Sequence, residues 1–484
     1  MVDTTQPPRH LIVVFGGLGN LARHKLIPSI YRLHASAGIS PQSVLLAVDV
    51  DRSYDDSAYH NWLLEAGEFE DGTYGRWCRT RIHYESLEPR AEDFSSLLKR
   101  IEEVERDHDL PGNRIYYLAV PLDAVGGIID GLAQAGLNRS DGWTRVVLEK
   151  PFGYDLKSGR ELTQMLHQHF DEEQLFRIDH FLGKDTVQNL FALRFANALF
   201  DNLWDADSIE SVEITAAEVV GIETRASYYE RVGVVRDMVQ NHLTQILALI
   251  AMEPPRVLDE QSIRAAKLDL LEAVVPPTPG DVVLGQYGSG IISGAQVPAY
   301  TEEDGVDPHS NTPTYAAVRL RVQCERWKGV PFYVRTGKRL AMRHTHVAVR
   351  YKCAPASLFH PEEDACGLTS NLLLVTLQPD EGFDLRFQVK QPGERFSLSN
   401  QRLRFRYADV FGQLPDAYQT LLGDVMMGDR THFVCDSEIE RAWRLYDGVL
   451  SADLPVHTYA PGGWGPCEAD ALGAAWIDPE AFHP

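Results

Sequence analysis

Two textures of hydrophobic patterning divide the chain. Over the first third, short unbroken apolar runs recur with helix-length amphipathic segments between them: Leu11–Phe15, then 43–48, 115–121 and 145–148. A continuous apolar run of that length suits a strand buried on both faces. Such strands alternating with helices predict a doubly wound parallel sheet, an α/β unit of Rossmann-like type. Beyond residue 180 the texture changes. Helical periodicity covers 185–200 and 228–253, and strands are predicted over 209–220, 315–323, 330–335, 345–352, 371–378, 383–390 and 401–407. Successive strands without helices between them predict a second, α+β unit built on one large, mainly antiparallel sheet with helices. One exposed face of that sheet is a natural surface for copies to pair, so a homodimer or homotetramer is expected. The Pro- and Gly-containing stretches 276–280 and 461–466 read as loops.

Composition narrows the partners. A chain of 484 residues with 44% hydrophobic and 24% charged residues has room for two or three ordinary globular domains. Its net charge of -23 argues against nucleic acid or an anionic membrane surface as partner. The same charge repels a small phosphorylated ligand at long range, so any phosphate site must be a local cluster of basic groups. Six cysteines, at 78, 324, 353, 366, 435 and 467, include no C-x-x-C pair. Neither a zinc site nor a disulfide framework is therefore indicated, and no metal is expected. A polar N-terminus runs directly into the first strand, and no apolar stretch reaches membrane-spanning length, so a cytoplasmic location is expected.

Three stretches offer chemistry. After the first strand, Gly17-Leu18-Gly19-Asn20-Leu21-Ala22 fits G-x-G-x-x-A, with Gly16 before it and a helical pattern through Leu26, Ile30 and Leu33 behind it. Glycines there let backbone amides at a helix start approach a pyrophosphate, which marks 1–178 as a dinucleotide-binding domain and leaves 179–484 for substrate binding and oligomerisation. Asp49, Asp51 and Arg52 follow the second strand, and Glu149-Lys150-Pro151 follows the strand at 145–148, where open α/β sheets place ligands. The second stretch is Phe176-Arg177-Ile178-Asp179-His180-Phe181-Leu182-Gly183-Lys184. It sets a carboxylate, an imidazole and an ammonium within six residues, with a glycine expected to bend the backbone between them. Lysine and histidine together suit a phosphate monoester. In the third, Met238, His242 and Ile246 follow at a spacing of four, which puts His242 on the apolar stripe of a helix. A carboxylate such as Asp179 on one imidazole nitrogen would fix the tautomer and leave the other nitrogen to act as a base.

Arg177–Lys184 resembles the R-I-D-H-Y-L-G-K signature of the glucose-6-phosphate dehydrogenase family. The likeness extends in order through the glycine turn, Glu149-Lys150-Pro151-Phe152-Gly153, Arg236-Asp237-Met238-Val239-Gln240-Asn241-His242, Leu414-Pro415-Asp416-Ala417-Tyr418 and Trp464-Gly465-Pro466. It implies oxidation of β-D-glucose 6-phosphate to the 1,5-lactone with hydride transfer to NAD or NADP. In that scheme His242 is the general base and Asp179 its orienting carboxylate. His180 and Lys184 hold the 6-phosphate, and Lys150 meets sugar oxygen close to the nicotinamide. Glu218 and Asp237 accept from sugar hydroxyls, and Lys338 and Gln378 make further substrate contacts. Gly16, Gly17, Gly19, Asn20, Leu21, Asp49, Arg52 and Lys150 are the implied cofactor contacts.

The chain departs from the family pattern in three places. Leu18 and Asn20 replace serine and aspartate of G-A-S-G-D-L-A, and Phe181 replaces a tyrosine. An acidic stretch, Val48-Asp49-Val50-Asp51-Arg52, stands where the family carries an arginine for the 2′-phosphate of NADP. Asp49 and Asp51 lean towards NAD, while Arg52 leaves NADP open. The rival readings are another sugar oxidoreductase of the Gfo/Idh/MocA type and a non-catalytic dinucleotide-binding sensor. Both sit poorly with the retained Asp179, Lys184 and His242.

Overall fold

The computed structural model describes residues 6–67, 69, 72–88, 93–353, 370–393 and 397–478; Cys366 lies outside them. The chain forms two compact units. Unit one comprises Met1–Lys184, Asp259–Arg264 and Pro415–Ile439; unit two comprises Asp185–Leu258, Ala265–Leu414 and Glu440–Pro484.

Unit one is built on six parallel strands: β1 (Leu11–Phe15), β2 (Val44–Asp49), β3 (Ile82–Ser86), β4 (Arg114–Leu118), β5 (Thr144–Leu148) and β6 (Leu175–Arg177). Their order is β3-β2-β1-β4-β5-β6, so the winding reverses between β1 and β4. That is the doubly wound parallel sheet the apolar runs predict. Leu11, Val13 and Phe15 enter one apolar cluster, and Ile12 and Val14 enter the other. Each buried aliphatic side chain of this kind contributes about 1.5–3 kcal/mol, which is why β1 reads as an unbroken apolar run. Two strands carry no such run. β3 lies at the sheet edge with only Ile82 and Tyr84 buried. β6 is three residues long and opens directly into the Asp179–Lys184 segment.

Unit two is built on a large mixed sheet. Its strands follow the order Leu398–Arg406, Gly382–Lys390, Leu372–Gln378, His344–Tyr351, Ile209–Ala217, Pro331–Gly337, Tyr315–Val322, Val282–Tyr287 and Val456–Tyr459. Pairing is antiparallel except where Ile209–Ala217 meets Pro331–Gly337 and where Val282–Tyr287 meets Val456–Tyr459. The predicted helix over 228–253 is three pieces: Ala226–Val234, a π-helix over Val235–Leu243, and Thr244–Ala251. Gly233, at φ +60°, makes the break before the π segment. The predicted helix 185–200 likewise ends at Phe195, and a short turn of helix follows at Ala198–Asp201.

Candidate active site

The glycine turn owes its shape to absent side chains. Gly16 adopts φ +81°, and a Cβ there would stand 2.3 Å from the carbonyl oxygen of Ala119. A Cβ on Gly17 would lie 2.8 Å from that of Ala47, and Gly19 closes the turn by donating to the Gly16 carbonyl at 3.0 Å. Asp49 ties the end of β2 to this turn: one carboxylate oxygen accepts from the Leu18 amide and the other from the Val50 amide, each at 2.8 Å. Tyr59 adds a bond to the Gly17 carbonyl at 2.7 Å. Asn20 and Leu21 open the helix behind the turn. The close backbone approach at Gly16 and Gly17, at a helix start beside the reversal of strand order, fits a dinucleotide pyrophosphate. Asp51 is held by Ser53, whose amide and hydroxyl both donate to it and lower its pKa, and Arg52 is exposed.

At the end of β5, Glu149 is followed by a cis Lys150–Pro151 peptide. Tyr117 donates a hydroxyl hydrogen bond to Glu149, and the Tyr418 hydroxyl lies near the same carboxyl. Burial raises the pKa of Glu149 to about 7, against the opposing effect of the Tyr117 and Tyr418 hydroxyls and the Lys150 charge; Asp179 pushes it further up. After β6 the chain makes a tight turn in which Leu182 donates to the Asp179 carbonyl at 2.9 Å. Asp179 is buried and one of its oxygens accepts from the Phe181 amide at 3.0 Å. The Lys184 ammonium lies 4.6 Å from the centre of the Phe181 ring. Gly183 lies in this turn, as the sequence suggests, although without the positive φ of the other turn glycines. Its role is close approach: a Cβ would stand 2.7 Å from the Ala417 carbonyl oxygen and 2.6 Å from Leu421.

In unit two the π-helix changes the spacing argument. Hydrogen bonds from i to i+5 widen the turn, so Asp237 and His242 stand one π-turn apart, and such segments are frequent at functional sites. His242 is 1% exposed and Asp237 accepts from the Tyr228 hydroxyl at 3.2 Å. Register pairs Ala217 with Gly337 on parallel strands, so Glu218 and Lys338 emerge side by side. Their side chains form a buried-to-surface ion pair at 2.6 Å. The Lys338 ammonium also faces the Tyr229 ring at 5.3 Å. Burial, then the charges of Asp237 and Glu218, hold the Tyr229 hydroxyl well above its usual pKa. Glu218, Asp237 and Lys338 are therefore gathered around one tyrosine. Gln378 donates to the Thr345 hydroxyl at 2.9 Å beside a cis bond to Pro379.

Several residues here escape sequence reasoning. Glu149 and Tyr418 belong to motifs quoted above yet carry no sequence signal of a role. Tyr117 sits in an apolar run as though it were core. Only burial of a carboxyl against two phenols singles them out.

The match to known proteins covers both units. A family model described as glucose-6-phosphate dehydrogenase, NAD binding domain, matches residues 13–189, and one for the C-terminal domain matches 191–476. The chain is 38% identical over 489 residues to a glucose-6-phosphate 1-dehydrogenase of Aggregatibacter actinomycetemcomitans, covering 97% of this chain and 98% of that one. A solved structure of glucose-6-phosphate dehydrogenase in complex with glucose 6-phosphate superposes with a TM-score of 0.89 at 29% identity, covering 98% of this chain and 100% of the other. A glucose-6-phosphate 1-dehydrogenase from Mycobacterium avium gives 0.83 at 34% identity, covering 97% and 99%. With both domain models matched in order along a single chain, this protein belongs to the glucose-6-phosphate dehydrogenase family.

Proposed function

We propose that the chain oxidises β-D-glucose 6-phosphate to 6-phospho-D-glucono-1,5-lactone. The observation that carries the proposal is His242, buried on a π-helix one turn from Asp237 in a chain whose whole length matches the family. When bound, a nicotinamide dinucleotide supplies the hydride acceptor. The protein supplies the rest. His242 removes the C1 hydroxyl proton, a step worth about 10²–10⁴-fold, with Asp179 as the carboxylate that orients it. His180 and Lys184 hold the phosphate, giving the local basic pair that a chain of charge -23 requires. Lys150 meets sugar oxygen near the nicotinamide. Glu218, Asp237, Lys338 and Gln378 take the sugar hydroxyls, the first three as the group around Tyr229. Gly16, Gly17, Gly19, Asn20 and Leu21 carry the pyrophosphate, and Asp49 and Arg52 face the adenosine ribose.

NAD is used at least as well as NADP in this reading, and the working form is a homodimer or homotetramer in the cytoplasm. Two observations support pairing of copies. Leu398–Arg406 is an edge strand, and Leu403 (60%), Val410 (60%) and Phe411 (68%) stand exposed on or beside it. Among the described residues no helix is long and apolar enough to cross a membrane.

The test is the absorbance of reduced nicotinamide with glucose 6-phosphate and with glucose. Turnover of glucose 6-phosphate far above that of glucose is expected. Lys184→Ala removes one charge-assisted contact of about 1.5–3 kcal/mol. It should raise KM for glucose 6-phosphate by roughly 10- to 150-fold while affecting glucose far less. Equal losses on both sugars would give Lys184 a structural role instead.

A further inference from the structure

We infer that Tyr84 is a positioning residue that braces the loop 50–55 and thereby fixes the adenosine end of the dinucleotide. The inference rests on the assignment of Asp49 and Arg52 to the adenosine ribose. The loop joins β2 to the helix Asp56–Leu64. Asp51, Arg52 and Ser53 are exposed, so burial does not hold them in place. The bonds from Ser53 to Asp51 lie within the loop and shape it without anchoring it. An anchor has to come from outside.

β3 supplies that anchor. The strand runs parallel to β2 with Tyr84 opposite Ala47, and this one residue holds the loop at both ends. Its hydroxyl donates to the Asp51 carbonyl at 2.7 Å, and its amide donates to the Asp56 carboxylate, also at 2.7 Å. Asp56 is itself fixed. Both of its oxygens accept from Arg100, at 3.0 and 2.9 Å, and one of them bonds His83 Nδ1 at 2.8 Å. Between the two ends the Tyr84 ring packs on Tyr54 of the loop, with 5.8 Å between centroids, and on Tyr59 of the helix at 5.2 Å. A buried residue serving only as core at this edge needs the ring alone, and phenylalanine would fill the same space. The hydroxyl is instead taken up by a backbone carbonyl of an exposed loop, directly before Arg52. A peptide group is planar, so holding that carbonyl fixes the Asp51–Arg52 peptide and the direction in which the Arg52 side chain departs. Without the hydroxyl the loop samples more orientations, and ordering it again on binding costs affinity. The predicted signature is weaker binding of the adenosine half alone, with turnover and sugar affinity kept.

Steady-state kinetics of the full-length protein test this in Tyr84→Phe, Asp56→Asn and Arg52→Ala, with AMP and inorganic pyrophosphate as inhibitors against NAD. Tyr84→Phe should raise KM for NAD and NADP, and the inhibition constant of AMP, about three- to tenfold, the worth of one neutral hydrogen bond. It should leave kcat, KM for glucose 6-phosphate and inhibition by pyrophosphate within about twofold of wild type. Asp56→Asn loosens the far end of the brace and should show the same pattern. A purely structural role would lower kcat through loss of folded protein and leave KM for the dinucleotides where it was. Unchanged KM for both dinucleotides in Tyr84→Phe, or equal losses on AMP and pyrophosphate, would overturn the inference. If Asp56→Asn does not fold, Tyr84→Phe decides it. Arg52→Ala separates the two levels. A raised KM for NADP there, with Tyr84→Phe like wild type, sinks the positioning role alone. Unchanged KM for both dinucleotides in Arg52→Ala sinks the ribose assignment and the inference with it.

Discussion

Units one and two carry their candidate residues on different scaffolds. In unit one these residues stand on turns at strand ends, and backbone contact sets the geometry. Gly16 and Gly17 are where no side chain fits, Asp49 accepts two amides, and Asp179 accepts the amide two residues on. In unit two they stand on regular elements or directly past them, and side chains pair with one another: Lys338 with Glu218, Tyr228 with Asp237. A turn built from backbone bonds couples shape to identity, so substitution there disturbs fold and site together. A helix presents its side chains on a backbone that stands without them, so substitution there can remove chemistry and leave the shape.

The sharpest form of that contrast, and the largest effect, is His242→Asn. The side chain sits mid-helix, and its own amide is capped by the Asn241 carboxamide. Removal of the base should lower kcat by at least about 10²-fold with little change in KM, while circular dichroism and the thermal midpoint stay close to wild type. Near-normal kcat in the folded variant would remove His242 from the chemistry.

The same contrast explains what was legible beforehand. Strands buried on both faces announce themselves, so β1, β2, β4 and β5 follow from the apolar runs. β3 does not, because an edge position leaves His83, Glu85 and Ser86 only partly covered. Leu398–Arg406 begins three residues before its predicted start for a similar reason: Ser399 and Asn400 are polar residues on an exposed edge. Its predicted last residue, Tyr407, opens a short helix instead. In unit two, the period of the helix over 228–253 was visible but its break was not. Apolar positions at three and four continue through a π segment, and only the backbone reveals that Asp237 and His242 are five apart on one turn. Motif residues were readable as types. The reason for Gly183, contact with a helix more than two hundred residues on, was not.

Gly183→Ala probes the coupled side of the contrast. With Ala417's backbone oxygen 2.7 Å from the added methyl, the turn or the helix must move. Overpacking of this kind costs about 1–3 kcal/mol, and here the movement should also raise KM for glucose 6-phosphate. Urea midpoints and KM measured on one preparation decide it: loss of stability with KM intact would uncouple fold from site.

A smaller effect is the pH dependence written into Glu149. Its pKa in the folded chain is about 7 against an ordinary 4.5, because burial favours the neutral form. The folded state therefore holds the proton more tightly, and this contribution to stability is complete below about pH 4.5 and lost as pH rises through 7. Glutamine at 149 has no such dependence. Wild type should lose stability relative to Glu149→Gln between pH 5 and 8, by on the order of 1–2 kcal/mol. A gap that stays constant across that range would mean that the carboxyl does not titrate there.

The smallest effect, a few-fold in kcat/KM, concerns the dinucleotide, where charge and backbone roles meet in one residue. Asp49 holds the Leu18 amide of the glycine turn and at the same time sets a negative charge at the end of β2. Asp51 stays ionised through its bonds to Ser53, and Arg52 beside it is exposed. A 2′-phosphate of charge about -2 placed about 5 Å from one such carboxylate is opposed by about 2 kcal/mol in water's dielectric, a value that Arg52 can offset in part. The expected outcome is kcat/KM for NAD at least equal to that for NADP at saturating glucose 6-phosphate. Asp51→Asn removes a charge without touching the glycine turn, so it should favour NADP and leave NAD unchanged. Asp49→Asn removes a charge and keeps one acceptor for two amides, so it should weaken NAD as well as admit NADP. If instead the wild type prefers NADP by more than tenfold, Arg52 outweighs both carboxylates. If Asp49→Asn and Asp51→Asn behave alike, the bond to Leu18 is irrelevant to cofactor binding, and in this turn charge and backbone shape are separable after all.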